Sequence, residues 1–216
     1  MSTHTSPEND QEEYIERVKT RCKNLIRNKI WNGVEEYRLD SWFDAMSNLD
    51  AKLLAAYILD NFSFRSKEQF YSLINFMVEG MKFPNKDKTL TFEEAFRHQS
   101  YTEKNGIILA PVISNDQPPT KSGPYILRLI QKLYKLPTKS MYWPHKLLEN
   151  TDGIKKLYFV DDFCGSGNQF SDFIKEINFE EIVKENKIEI YYLVAVIHEK
   201  GLKKIQEAYP KIKVIY

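Results

Sequence analysis

The spacing of apolar positions changes character once along the chain. Between residues 11 and 30, Tyr14, Val18, Cys22, Leu25 and Ile26 recur every three or four positions with charges between them, the period of an amphipathic helix. Residues 29–40 break that pattern. Asp50 is a good N-cap, and the AKLLAAYILDNF run after it combines strong helix formers with a wide apolar face, so a second helix is expected to start there. Ser66 is placed to cap a third over roughly 67–79, with Phe70, Leu73, Ile74, Met77 and Val78 on one side. Residues 91–98 read as a fourth, short helix. The first hundred residues therefore read as helical.

From Gly106 onward the apolar runs become short and dense. Residues 107–113 are apolar throughout, with Pro111 the only interruption to a buried parallel strand. The SNDQPPTKSG segment at 114–123 is a loop by composition, and it leads into a helical pattern over 124–134. A short strand is expected near 140–143, a strand over 156–160, a helix over 168–177 and a long buried strand over 188–197. A helix over 200–209 and a strand over 213–216 follow. Strands alternating with helices predict an α/β fold with a parallel, doubly wound sheet. The expected organisation is a helical N-terminal half, residues 1–104, packed on an α/β half, residues 105–216. Because the chain stops inside its last strand, further sheet elements are expected beyond Tyr216.

Charge narrows the partners. With 31 basic against 30 acidic side chains there is no overall field to draw the chain to nucleic acid or an acidic membrane, so any contact with a polyanion must be local. The two cysteines, Cys22 and Cys164, match neither a disulfide framework nor a zinc-ligand spacing, which fits a reducing compartment. The polar, acidic start has no signal-peptide core, and no stretch approaches the ~18 apolar residues of a membrane span, so the expected location is the cytoplasm.

The chemistry concentrates in VDDFCGSGNQF, residues 160–170. In an open parallel sheet, ligands bind at the carboxyl ends of strands, where the next helix offers unpaired N–H groups to an anion. Gly165, Ser166 and Gly167 occupy such a junction, with Asn168 and Gln169 opening the helix. Glycine permits positive φ and a close approach of backbone to phosphate oxygens, and Ser166 can add a hydroxyl donor. Asp161 and Asp162 are expected to end the strand. Two adjacent carboxylates repel each other, and ribose hydroxyls or Mg²⁺, directly or through water, would compensate them. A Gly-Ser-Gly turn after a strand is often only a connection; the acidic pair beside it is what points to a ligand.

An apolar strand, two acids, two apolar residues, then a small residue, Ser or Thr and Gly resembles the ribose-phosphate signature of type I phosphoribosyltransferases. That resemblance implies that Asp161 and Asp162 hold the ribose hydroxyls of phosphoribosyl pyrophosphate and that Gly165 to Gln169 wrap its 5′-phosphate, with Mg²⁺ as cofactor. Residues 107–112 followed by Thr120, Lys121, Ser122 and Gly123 resemble the family's pyrophosphate-binding loop, so Lys121 is expected to neutralise the leaving group. The DDFxGSGNQ variant behind a helical half is most similar to a divergent branch associated with bacterial conflict and antiphage systems. Two departures stand out: Gln169 where the family usually has Thr, and Gly165 where purine-specific members carry an acid. These leave a non-catalytic nucleotide sensor, signalling to a protein partner through the helical half, as an alternative.

Asp161, Phe163, Gly165 and Gly167 also match D-x-F-x-G-x-G, which is similar to the S-adenosylmethionine turn of DNA amino-methyltransferases. The Pro-Pro-aromatic tetrad of those enzymes has only an imperfect counterpart at 116–120. Among other residues, His198 reads as a satisfied strand-end histidine, Cys164 as packing under the turn, and Trp31, Trp42 and Phe43 as core aromatics.

Overall fold

The computed structural model describes residues 7–79, 81, 83–84, 89–90, 106–114, 116–118, 120–149, 153–178 and 188–216. The backbone divides into two compact units, Met1–Tyr71 and Ser72–Tyr216.

In the first unit, α1 (Pro7–Arg27), α2 (Glu36–Asp44) and α3 (Leu49–Asp60) share one apolar core that includes Val18, Cys22, Phe43, Ala55, Ala56 and Leu59. Helix α2 occupies part of the stretch expected as a break; its turn is anchored by burial of Leu39 and Phe43, a pair too sparse to show a clear period. Helix α3 starts one residue before Asp50 because Asn48, not Asp50, caps it, its Oδ1 accepting from Ala51 N–H at 2.9 Å. Ser66 caps α4 (Lys67–Glu79) as expected: its Oγ accepts from Gln69 N–H while Gln69 Oε1 accepts from Ser66 N–H, a reciprocal capping box. Trp31 and Phe43 are buried, but Trp42 is 38% exposed, because its neighbour Phe43 takes the inward position of α2. In the second unit a two-residue antiparallel pair, β1 (Phe83–Pro84) with β2 (Thr89–Leu90), interrupts the all-helical expectation. The helix expected over 91–98 lies outside the described residues.

Four parallel strands follow in the order β3 (Ile107–Pro111), β4 (Lys156–Cys164), β5 (Glu189–Ile197), β6 (Ile212–Ile215). On the free side of β3, Met141 bridges Leu109 in parallel, and Tyr142 N–H donates to Leu109 C=O at 2.9 Å. The strand expected near 140–143 is thus a single bridge after a 3₁₀ turn, Thr138–Ser140. The chain therefore leaves β3 in one direction, through α5 (Ser122–Tyr134) to Met141, and returns through α6 (Pro144–Glu149) to β4 on the other side.

Beyond β4 it continues outward through α7 (Asn168–Glu176) to β5 and α8 (Glu199–Ala208) to β6. Phe170 and Phe173 of α7 and Ile205 of α8 join the core on the sheet face of Leu157, Phe159, Ile190 and Tyr192. Ile126, Leu129 and Ile130 of α5 are buried outside that core, against β3 and β4, and so cover the opposite face. With helices on both faces and the direction of travel reversing between β3 and β4, the sheet is doubly wound and has a topological switch point there. No helix among the described residues is long and apolar enough to cross a membrane.

Candidate functional site

Two connections meet at the switch point: the loop from β3 to α5 and the turn from β4 to α7. Strand β4 runs four residues beyond the expected end at 160, because Asp161, Phe163 and Cys164 still pair with Val194, Val196 and Ile197 of β5. Asp161 and Asp162 therefore lie within a strand, where successive side chains point to opposite faces. The acidic pair is split by the sheet.

Asp161 turns toward the α7 and α8 face and is 2% exposed. Tyr192 Oη donates to its Oδ2 at 3.1 Å, and Asp162 N–H donates to its Oδ1 at 3.0 Å. Burial, reinforced by the Asp162 charge, pushes the Asp161 carboxyl from its ordinary 3.8 up to about 8, so it carries a proton at neutral pH. Burial also raises the Tyr192 phenol well above its usual range and raises the Cys164 thiol, which the Tyr192 hydroxyl and Gly167 N–H both touch. Tyr192 stacks on Phe170, with centroids 3.9 Å apart. Asp161 is thus one member of a buried polar network that ties strand to turn.

The native state holds a proton on Asp161 between about pH 4 and pH 8, whereas the unfolded chain, titrating near its ordinary 3.8, does not. Its contribution to stability is therefore full below pH ~4 and falls as pH rises toward ~8. Asp161→Asn, a neutral near-isostere, should flatten that slope. Urea unfolding from pH 4.5 to 8.5 checks it: stability should fall with pH more steeply in the native protein than in the variant.

Asp162 faces the α5 side and is half-buried. Its Oδ1 accepts from Ser122 Oγ at 2.8 Å and from Phe163 N–H at 2.9 Å. Ser122 belongs to the expected pyrophosphate loop, but it is the first residue of α5, and Gly123 is buried behind it. A Cβ on Gly123 would sit 3.0 Å from Val112 C=O, so this glycine lets α5 pack against the end of β3. Lys121 precedes α5 as its N-cap and is exposed; its N–H donates to Pro118 C=O at 3.1 Å.

Gly167 caps α7 with φ +79°, the left-handed conformation that the turn glycines are expected to permit, whereas Gly165 does not adopt it. Gly167 offers no side-chain acceptor, so first-turn N–H groups of α7 other than that of Asn168 are left for an outside anion. Ser166 and Gln169 are exposed on this turn, and Ser166 Oγ accepts from Asn168 N–H at 3.4 Å. Asn168 Oδ1 in turn accepts from Lys204 Nζ at 2.6 Å, which brings a cation beside the turn.

Three contributors lie in α8 and β5 and went unrecognised in the sequence. They are Tyr192, Lys204 and Gly201. A Cβ on Gly201 would collide with Gly165 C=O and lie 3.0 Å from Cys164 Sγ and 3.2 Å from Gly167 N, so the turn rests on this glycine. A glycine inside the helical EKGLKK pattern was the available signal. His198 is the structural histidine expected: its Nδ1 accepts from Lys200 N–H at 3.1 Å, capping α8.

A glycine turn on a helix N-terminus, beside a positioned carboxylate at the switch point of a doubly wound sheet, is the arrangement in which open α/β proteins hold phosphorylated ligands. The PRTase-CE family profile matches residues 39–216, and the chain belongs to that family. Among solved structures, the chain is similar to orotate phosphoribosyltransferase from Aeropyrum pernix, with 10% identity over 69% of this chain and 71% of that one and a TM-score of 0.37. None of the curated proteins matches it. The methyltransferase resemblance of D-x-F-x-G-x-G finds no support in these comparisons.

Proposed function

We propose that the site binds phosphoribosyl pyrophosphate or a related ribose phosphate, with the 5′-phosphate on the turn from Gly165 to Gln169 and the ribose at Asp162. The observation that carries this reading is the position of Asp162, fixed by Ser122 at the switch point, at the end of the strand that leads through the glycine turn into α7. Lys121 and Lys204 supply cations on the pyrophosphate and 5′-phosphate sides. Asp161, protonated and with both oxygens bonded, does not suit a metal ion, and among the described residues no cluster of three acidic, histidine or cysteine side chains could hold one. Mg²⁺ therefore fits as a companion of the pyrophosphate, with Asp162 its nearest carboxylate, and it would offset the charge of that group.

If transfer occurs, an acceptor bonds to C1 of the ribose as the C1–O bond to pyrophosphate breaks. Calorimetry with phosphoribosyl pyrophosphate and Mg²⁺, with S-adenosylmethionine as the contrast, tests the reading. Heat with the second ligand and none with the first would sink it.

A nucleotide sensor working through the helical unit is the second reading, and one surface favours it. Leu54, Tyr57 and Ile58 on α3, with Phe62 just beyond it, are each more than half exposed and spaced to form one stripe. Binding without pyrophosphate release, whatever acceptor is offered, would select this reading. Either activity would suit the role in bacterial defence that the sequence resemblance implies, and loss of phage protection on Asp162→Asn in an expressing host would support that role.

A further inference from the structure

Ser122 reads from sequence as a donor to pyrophosphate. Its geometry points elsewhere. A serine hydroxyl has one proton, and here that proton lies on Asp162 Oδ1 over 2.8 Å, across forty residues of chain and between the two connections of the switch point. Phe163 N–H occupies the same oxygen at 2.9 Å. With two donors on Oδ1, the carboxylate is held in one orientation, and Oδ2 has no hydrogen-bond partner among the described residues. Ser122 Oγ, having given its proton away, keeps lone pairs that can only accept.

We propose that Ser122 is the positioning residue of Asp162, and that Asp162 Oδ2 with Ser122 Oγ forms a paired acceptor for the two hydroxyls of a vicinal diol. This rests on the ribose-phosphate reading above and sharpens it: the site selects ribose over 2-deoxyribose, and Ser122 acts on the sugar, not on the pyrophosphate. A diol offers two O–H donors and needs two acceptors, and a site built to bond a hydroxyl discriminates against a ligand lacking it because its buried polar group is then left unpaired. A pyrophosphate offers only acceptors. It can take a hydrogen bond from Ser122 Oγ only if the Ser122–Asp162 bond first breaks.

The test uses the full chain and three probes by calorimetry: ribose 5-phosphate, 2-deoxyribose 5-phosphate, and inorganic pyrophosphate with Mg²⁺. The native protein should prefer ribose 5-phosphate to its deoxy analogue by about tenfold or more, the worth of one hydrogen bond to a charged group. Ser122→Ala should lose about that factor for ribose 5-phosphate and erase the preference, with pyrophosphate affinity unchanged. Ser122→Thr, which keeps the hydroxyl, should restore both. If Ser122→Ala weakens pyrophosphate and spares ribose 5-phosphate, Ser122 is a pyrophosphate donor and the proposal falls.

Thermal unfolding without ligand judges the bond separately. The effects of Ser122→Ala and Asp162→Asn should be non-additive in the double variant, and additivity overturns the positioning role whatever the ligands do. A native protein that binds none of the three probes yet shows this coupling would overturn the ribose-phosphate reading, and the diol role with it, while keeping Ser122 as the anchor of Asp162.

Discussion

Asp162→Asn is expected to lower affinity for phosphoribosyl pyrophosphate by about a hundredfold, the upper range for loss of a charged hydrogen-bond acceptor, while Asp161→Asn changes it by less than about threefold. The asymmetry follows from the strand. Asp162 presents a free carboxylate oxygen on the face that Ser122 reaches, whereas both oxygens of Asp161 are bonded inside the sheet. Asp161 also carries its proton at neutral pH, so asparagine removes little charge there. Isothermal calorimetry on both variants at pH 7 decides the matter: equal losses would show that the pair binds as a unit and would undo the division of roles.

Gly201→Ala should cost about 2 kcal/mol of stability, within the range for overpacking a tight site, and lower ligand affinity by at least about tenfold. Two of the atoms its Cβ would strike, Gly165 O and Gly167 N, are backbone of the turn itself, and the third is Cys164 Sγ, pinned by Tyr192. None is the far end of a flexible side chain, so the strain must move either α8 or the turn. Moving the turn displaces the N-terminus of α7, on which the proposed 5′-phosphate would sit. Thermal unfolding and calorimetry on the same sample separate the two losses; a variant that melts like the native protein and binds as tightly would show that the turn does not lean on α8.

Much of this arrangement was legible because it is local. The amphipathic period of α1, the cap at Ser66, the dense apolar runs of β3, β4 and β5, and the glycine turn after β4 are each encoded within a few residues, and each appears in the order the pattern placed it, with ends shifted by up to four residues. Helix α2 was missed because it buries few side chains, and Met141 because a strand of one bridge has no period to detect. The end of β4 was placed too early, since two acids read as a strand terminus unless one knows that a partner strand continues beside them.

For the site, the sequence alone determined the residue types and their order: two acids, a glycine turn, and an upstream Lys-Ser-Gly. It could not say which acid faces the ligand, because that depends on how far β4 stays paired and on which face each neighbouring helix covers. Only the tertiary structure decided that Asp161 is buried against Tyr192, that Ser122 meets Asp162 from forty residues away, and that Gly201 and Lys204 support the turn from α8. Contacts made across the chain depend on where strands and helices come together in space. Residue spacing along the chain carries no record of that meeting.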